Sequence, residues 1–121
     1  MIYKIVFFRD IVSIKDIPSG VRTIIEQYVR TISAYYGENR NIDNDDGGYL
    51  LYLTPGTPME SVKEFFDYTS HPPEYLTLHQ DVTPPLCAAH YVLNNEYTVT
   101  ILLSPEDMPI EYLKELEGEA L

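Results

Sequence analysis

The chain has little of what usually staples a small domain together. It holds one cysteine, Cys87, and no tryptophan among its 121 residues. A lone thiol closes no internal disulfide, which is what a protein kept in a reducing cytoplasm is expected to show. No apolar run approaches the roughly 18 residues that a membrane-crossing helix requires. The opening stretch, Met1 to Asp10, is broken by Lys4 and offers no small-residue cleavage site, so it is not read as a signal peptide. Absent too are G-x-S-x-G, a Walker loop, H-E-x-x-H and G-x-G-x-x-G. No cofactor and no metal are therefore expected.

What is present suits one globular domain. The chain is 45% hydrophobic, with eleven tyrosines and four phenylalanines. Folding a chain of this size buries roughly two-thirds of the surface it exposes when unfolded, enough for a core without metal or disulfide.

Charge is the least even property. The net charge is −11. Residues 1–40 hold six basic side chains against four acids, a net +2, whereas residues 41–121 hold fifteen acids against Lys63 and Lys114, a net −13. A field of that sign repels nucleic acid and anionic lipid and speeds encounter with basic surfaces. Solubility alone accounts for an acidic chain. The sharper reading is an acidic surface that docks on a basic partner protein.

Hydrophobic periodicity sets the coarse order of elements. Ile2 to Phe8 is apolar at six of seven positions and reads as a strand buried on both faces. Val21, Ile24, Ile25, Tyr28, Ile32 and Tyr35 recur at helical spacing, with Ser19 or Asp16 as a candidate cap and Gly37 just past the end. Tyr49 to Leu53 reads as a second buried strand. Thr57-Pro58-Met59-Glu60 has the spacing of a capping box with proline at the first helical position, and the helix it starts runs on to before Pro72-Pro73. Tyr75 to Leu78, flanked by proline pairs, reads as a short edge strand. Leu86 to Leu93 and Tyr97 to Leu103 flank Asn94-Asn95, a two-residue hairpin signal. A last helix is expected from about Pro109 to Glu117, with Ile110, Leu113 and Leu116 inward. The order is βαβαβββα, an α+β single domain over residues 1–121. A mixed sheet of four or five strands and about three helices follows, with the first two strands expected parallel.

The hairpin decides where the ionisable residues point. A two-residue turn sets Val92 opposite Tyr97, His90 opposite Val99, Ala88 opposite Ile101 and Leu86 opposite Leu103. A three-residue loop slips this by one and demands a left-handed Glu96, so the shorter turn is the expected one. In either register Cys87 and His90 project from opposite faces, because strand side chains alternate. Cys87-Ala88-Ala89-His90 is therefore a poor zinc pair despite its spacing. Whether His71, His79, His90 and Cys87 converge depends on the fold.

Two acidic segments remain. Asp43-Asn44-Asp45-Asp46-Gly47-Gly48 has glycine at the sixth position of a calcium loop, but the twelfth is Thr54, which supplies no bidentate carboxylate. It reads as a polar turn and as a contact patch through Asp43, Asp45 and Asp46. The C-terminal segment gathers Glu106, Asp107, Glu111 and Glu115, with Glu111 and Glu115 repelling across one helical turn. Tyr49, Tyr52 and Tyr112 are candidate aromatic anchors, since exposed tyrosine is favoured at binding hot spots.

In size, acidity and want of a catalytic motif the chain resembles the small inhibitor and immunity proteins carried by phages and mobile elements, including inhibitors of restriction and CRISPR nucleases. The resemblance is one of class and rests on no shared motif. It implies a non-enzymatic module that occupies the basic, nucleic-acid-binding surface of a partner such as a nuclease, without touching nucleic acid or membrane itself. Two other readings stand beside it: a small enzyme or ligand-binding domain with a His/Cys-lined pocket, and a homo-oligomer, for instance a homodimer, paired through the edge at Tyr75–Leu78.

Overall fold

The computed structural model describes residues 1–40, 47–67, 73–93 and 97–112. Its elements are β1 (Ile2–Ile5), α1 (Phe8–Val12), α2 (Ser19–Tyr36), β2 (Gly48–Leu53), α3 (Met59–Asp67), β3 (Tyr75–His79), β4 (Leu86–Leu93) and β5 (Tyr97–Leu103). A 3-10 turn follows at Pro105–Asp107. The strands form one mixed sheet in the order β1-β2-β5-β4-β3. This is the α+β domain expected, with the proline-flanked strand at an edge.

Three expectations about the strands need correcting. The first strand stops at Ile5 instead of Phe8, because the Asp10 carboxylate accepts hydrogen bonds from the amides of Val6 (2.9 Å) and Phe7 (2.8 Å). Those amides are withdrawn from the sheet, and α1 begins at Phe8. β1 then runs antiparallel to β2, Ile5 opposite Leu50. The chain crosses the sheet twice between them. It travels out along α1 and residues 13–18 to Gly20, which lies against Val82 and Thr83 at the β3–β4 connection, and returns along α2 to Gly48. The parallel pair is β2 with β5.

The hairpin register is the third correction. Leu93 pairs with Tyr97 and His90 with Thr100, so three residues, 94–96, lie between the paired positions. Hydrophobic pattern explains the choice. This register gathers Val99, Ile101 and Leu103 with Cys87, Ala89 and Tyr91 on one face. The expected register would have set Thr98 and Thr100 on that face, against the Val62 and Phe66 side chains of α3, where their hydroxyls would be costly to bury.

The sheet thus has two cores. On one face α1 and α2 bury Ile11, Val21, Ile24, Ile25, Val29 and Ile32 against Ile5, Leu50, Ala88 and Leu102. On the other α3 buries Val62 and Phe66 against Leu53, Tyr91 and Leu103, and Met108 and Tyr112 complete the layer. The spacing in α2 was legible, but Val29 takes the buried place and Tyr35 is 80% exposed. Its cap position is Pro18, without a side-chain cap. Thr57 does not cap α3 either: its hydroxyl donates to the Thr54 carbonyl at 2.7 Å, and the helix starts two residues later. Ile110 points outward, 66% exposed, contrary to expectation. Leu113, Leu116 and the rest of the expected last helix lie outside the described residues.

One buried side chain ties the α2 layer to the sheet. Arg40 donates from Nε to the Gly48 carbonyl (3.2 Å) and from Nη1 to the Ser33 hydroxyl and the Gly37 carbonyl (both 3.1 Å). Its Nη2 donates to the Val6 carbonyl, and its guanidinium lies over the Phe7 ring. The end of β1, the end of α2 and the start of β2 therefore meet on one cation. Gly47, at φ +138, owes its identity to this contact: a Cβ there would stand 2.8 Å from Arg40 Cδ. Gly37, at φ 88 and ψ 163, occupies a region that only glycine adopts readily and turns the chain out of α2.

Replacing Arg40 by Met should strand several buried acceptors and lower the unfolding free energy by about 3 kcal/mol. Gly47→Ala should cost roughly 2 kcal/mol through strain and the clash with Arg40. Urea titration reads both; an Arg40→Met chain as stable as the parent would refute the role given to this residue.

Candidate functional site

Register brings together polar residues that the sequence keeps far apart. Tyr75 pairs with His90, His90 with Thr100, and Thr100 with Leu50, forming one row across β3, β4, β5 and β2. Alternation puts Thr77 and His79 on the same face as Tyr75, and Val92, Thr98 and Gly48 in the adjacent row. That face looks toward α2, which lowers Tyr28 onto it.

The contacts form a chain of neutral hydrogen bonds. Tyr28 Oη lies 2.8 Å from His79 Nε2 and 3.5 Å from His90 Nε2. His90 Nδ1 lies 3.2 Å from Thr100 Oγ1, and Thr77 Oγ1 lies 3.4 Å from His90 Nε2. One proton assignment satisfies the line: the Thr100 hydroxyl donates to His90 Nδ1, His90 Nε2–H donates to the Tyr28 oxygen, and the Tyr28 hydroxyl donates to His79 Nε2. Tyr75 stacks on the His90 ring, centroids 4.2 Å apart. Burial, with His79 adding to it, drives the His90 pKa down to about 4. His79 is lowered by burial as well, with Asp81 opposing. Burial, seconded by Tyr75, pushes the Tyr28 phenol up to about 12. Both imidazoles are thus held toward their neutral forms and Tyr28 keeps its proton. A general base needs a pKa near the working pH, and neither His90 nor Tyr28 has one.

Beside this network is a cavity of about 330 Å³. Tyr28, Tyr35, Tyr36 and Tyr75 wall it, over a floor that includes His90, Val92, Thr98 and Thr100. Cys87 is not part of it. The thiol is buried on the opposite face, and burial lifts its pKa to about 11, which leaves it protonated and unreactive. The His/Cys-lined pocket is therefore an imidazole and tyrosine pocket. His71 lies outside the described residues. Among the described residues no three His, Cys, Asp or Glu side chains are grouped to hold a metal ion. A second cavity, of about 490 Å³, includes Phe7, Arg9, Glu38 and Arg40 in its lining, but Arg40 already spends its donors on four oxygens of the fold.

The acidic contact residues divide. Asp43, Asp45, Asp46 and Glu115 lie outside the described residues. Glu106 and Glu111 are exposed. Asp107 is half-buried, and its Oδ2 accepts a hydrogen bond from the Gly56 amide (3.3 Å), which joins the 3-10 turn to the loop before α3. Tyr49 is half-buried beneath the Lys4 ammonium. Tyr112 is half-buried and stacked on Phe66 at 5.0 Å. Tyr52 is buried and is no anchor. Among the described residues the exposed tyrosines are instead Tyr35 and Tyr75, which the sequence pattern placed on the apolar helix face and at the start of the edge strand, not as anchors. The signal for them was the alternation Thr98-Val99-Thr100-Ile101, whose polar side belongs beside His90 only in the slipped register.

Compared with protein-family models, curated proteins and solved structures, the chain matches none.

The depressed His90 pKa makes a stability prediction. The unfolded chain binds a proton at this site near the ordinary value of 6.5 and the folded chain only near 4. The stabilisation is complete above about pH 6.5 and is lost progressively as pH falls toward 4, by an amount on the order of 2–3 kcal/mol. Urea unfolding of the parent and His90→Gln between those pH values should show the steeper fall in the parent; parallel curves would argue against a buried neutral imidazole.

Proposed function

We propose that this chain is a non-enzymatic binding module that recognises a basic protein partner through the face of the sheet covered by α3 and the C-terminal segment. The supporting observation is a partition of charge by layer. Residues 6–40, the α1/α2 layer, carry five basic and four acidic side chains, whereas segments 54–67 and 104–112 on the other face carry six acids and Lys63. Glu60, Glu64, Glu106 and Glu111 are exposed in that second layer. The Asp107–Gly56 hydrogen bond holds its two segments in register with each other. Like charges gathered on one layer repel one another, and a cationic partner surface would offset that repulsion. A partner whose basic groove ordinarily takes nucleic acid has the complementary field. Asp43, Asp45 and Asp46 belong to the same proposal as a second acidic contact.

The test is salt. Binding to a partner recovered from the native host should weaken by at least about tenfold between about 50 mM and about 300 mM salt, and duplex DNA should compete for the partner. Combined Glu60→Gln, Glu64→Gln, Glu106→Gln and Glu111→Gln substitutions should abolish it while leaving the melting temperature intact. Asp43→Asn, Asp45→Asn and Asp46→Asn together measure the loop's share. Affinity indifferent to both salt and the glutamate changes would defeat the proposal.

A further inference from the structure

The cavity under α2 lies on the other side of the sheet from the acidic layer, and its construction is not explained by folding. His90, only 8% exposed, and Thr100, 5% exposed, are buried polar residues in a row whose other buried members are Ile5 and Leu50. Apolar residues there would close the core at lower desolvation cost. The adjacent row adds Val92 and Thr98, two short side chains, to the floor. Beside it, a Cβ on Gly48 would meet Thr98 Oγ1 at 2.5 Å and Ile32 Cγ2 at 3.3 Å, so glycine lets Ile32 of α2 pack close to β5 at the edge of the cavity. Above the opening stand Tyr35, 80% exposed, and Tyr75, 59% exposed, the most exposed tyrosines of the described structure. Tyr36 packs edge-on against Tyr35 at 4.7 Å. Two exposed aromatic rings at the mouth of one cavity, over a buried hydrogen-bonding floor, are the ordinary makings of a small-molecule site.

The lining also limits what enters. Among its described lining residues none bears a formal charge when the His90 imidazole is neutral. A desolvated ion would find no counter-charge there. Phenol rings present flat faces, the Thr98 hydroxyl both donates and accepts, and Thr100 and Tyr28, whose protons go to His90 and His79, present acceptor oxygens. A volume of about 330 Å³ is at the small end of ligand pockets. We infer that this cavity binds a small uncharged heteroaromatic ring, its faces against Tyr35 and Tyr75 and its polar edge toward the Thr98 and Thr100 hydroxyls. The ring's own donors and acceptors extend the hydrogen-bonded line that ends at Thr100, and no bond is made or broken.

The probes are adenine and nicotinamide, with benzyltrimethylammonium and benzoate as charged rings. Titrated into the full chain at neutral pH, at least one uncharged probe should shift backbone-amide NMR signals saturably, and the shifts should centre on residues 28–36, 75–77, 90–92 and 98–100. Tyr75→Ala and Tyr35→Ala remove exposed side chains and should leave the fold intact, so their loss of affinity, at least about fivefold each, reads the site directly. Thr100→Val preserves shape, deletes one hydroxyl and should weaken binding by a similar factor. Failure of both uncharged probes to bind, shifts that map elsewhere, unaltered affinity in the two tyrosine variants, or tighter binding of either charged ring would each overturn the inference. None of these results bears on the acidic face, which the salt experiment tests alone.

Discussion

The fold depends on one buried cation finding enough oxygen. Arg40 sits where the chain leaves α2 and enters β2, and its guanidinium meets carbonyls of Val6, Gly37 and Gly48 and the hydroxyl of Ser33. A charge withdrawn from water is tolerated only when its donors are matched, and here three segments of backbone supply the match. The consequence reaches beyond local stability. These contacts fasten the end of α2 beside the end of β1 and the start of β2 and hold the long helix in place over the sheet. The same helix carries Tyr28, Ile32, Tyr35 and Tyr36 over Thr98, where the tyrosine cavity opens.

Much of this architecture was readable from residue pattern. Helix α2 is announced by apolar positions at helical spacing between Pro18 and Gly37, and β3 by prolines that forbid it a central place. The failures have physical causes. In Phe7-Phe8-Arg9-Asp10 the apolar run argues for a strand, but the Asp10 carboxylate lies within reach of two amides and converts the run into a helix start. At Asn94-Asn95 the turn chemistry argues for two residues between strands. The burial of Val99, Ile101 and Leu103 against α3 outweighed it and inserted a third. That single slip explains why the pocket stayed hidden: Tyr28, Tyr75, His90 and Thr100 share neither neighbourhood nor motif, and only the true register sets three of them in one row.

The sheet acts as a divider between two kinds of surface. Toward α2 it presents neutral, hydroxyl-bearing and aromatic side chains around a cavity, in a layer whose charges nearly balance. Toward α3 it presents an apolar core roofed by glutamates. Strand alternation is the device that permits this, since each of β4 and β5 contributes one set of residues to each side. Cys87 and His90 show the principle at close range: three positions apart in sequence, they belong to different cores and experience burial in opposite chemical senses, one thiol made harder to ionise and one imidazole made harder to protonate.

Cys87 has a practical consequence. It is the chain's one sulfhydryl, sealed in an inner strand beneath α3. An alkylating reagent reaches it only when that helix lifts or the strands part. The molecule therefore carries its own clock for opening: the rate at which the sulfur is trapped counts how often this half of the core comes apart, with no label or engineered reporter added.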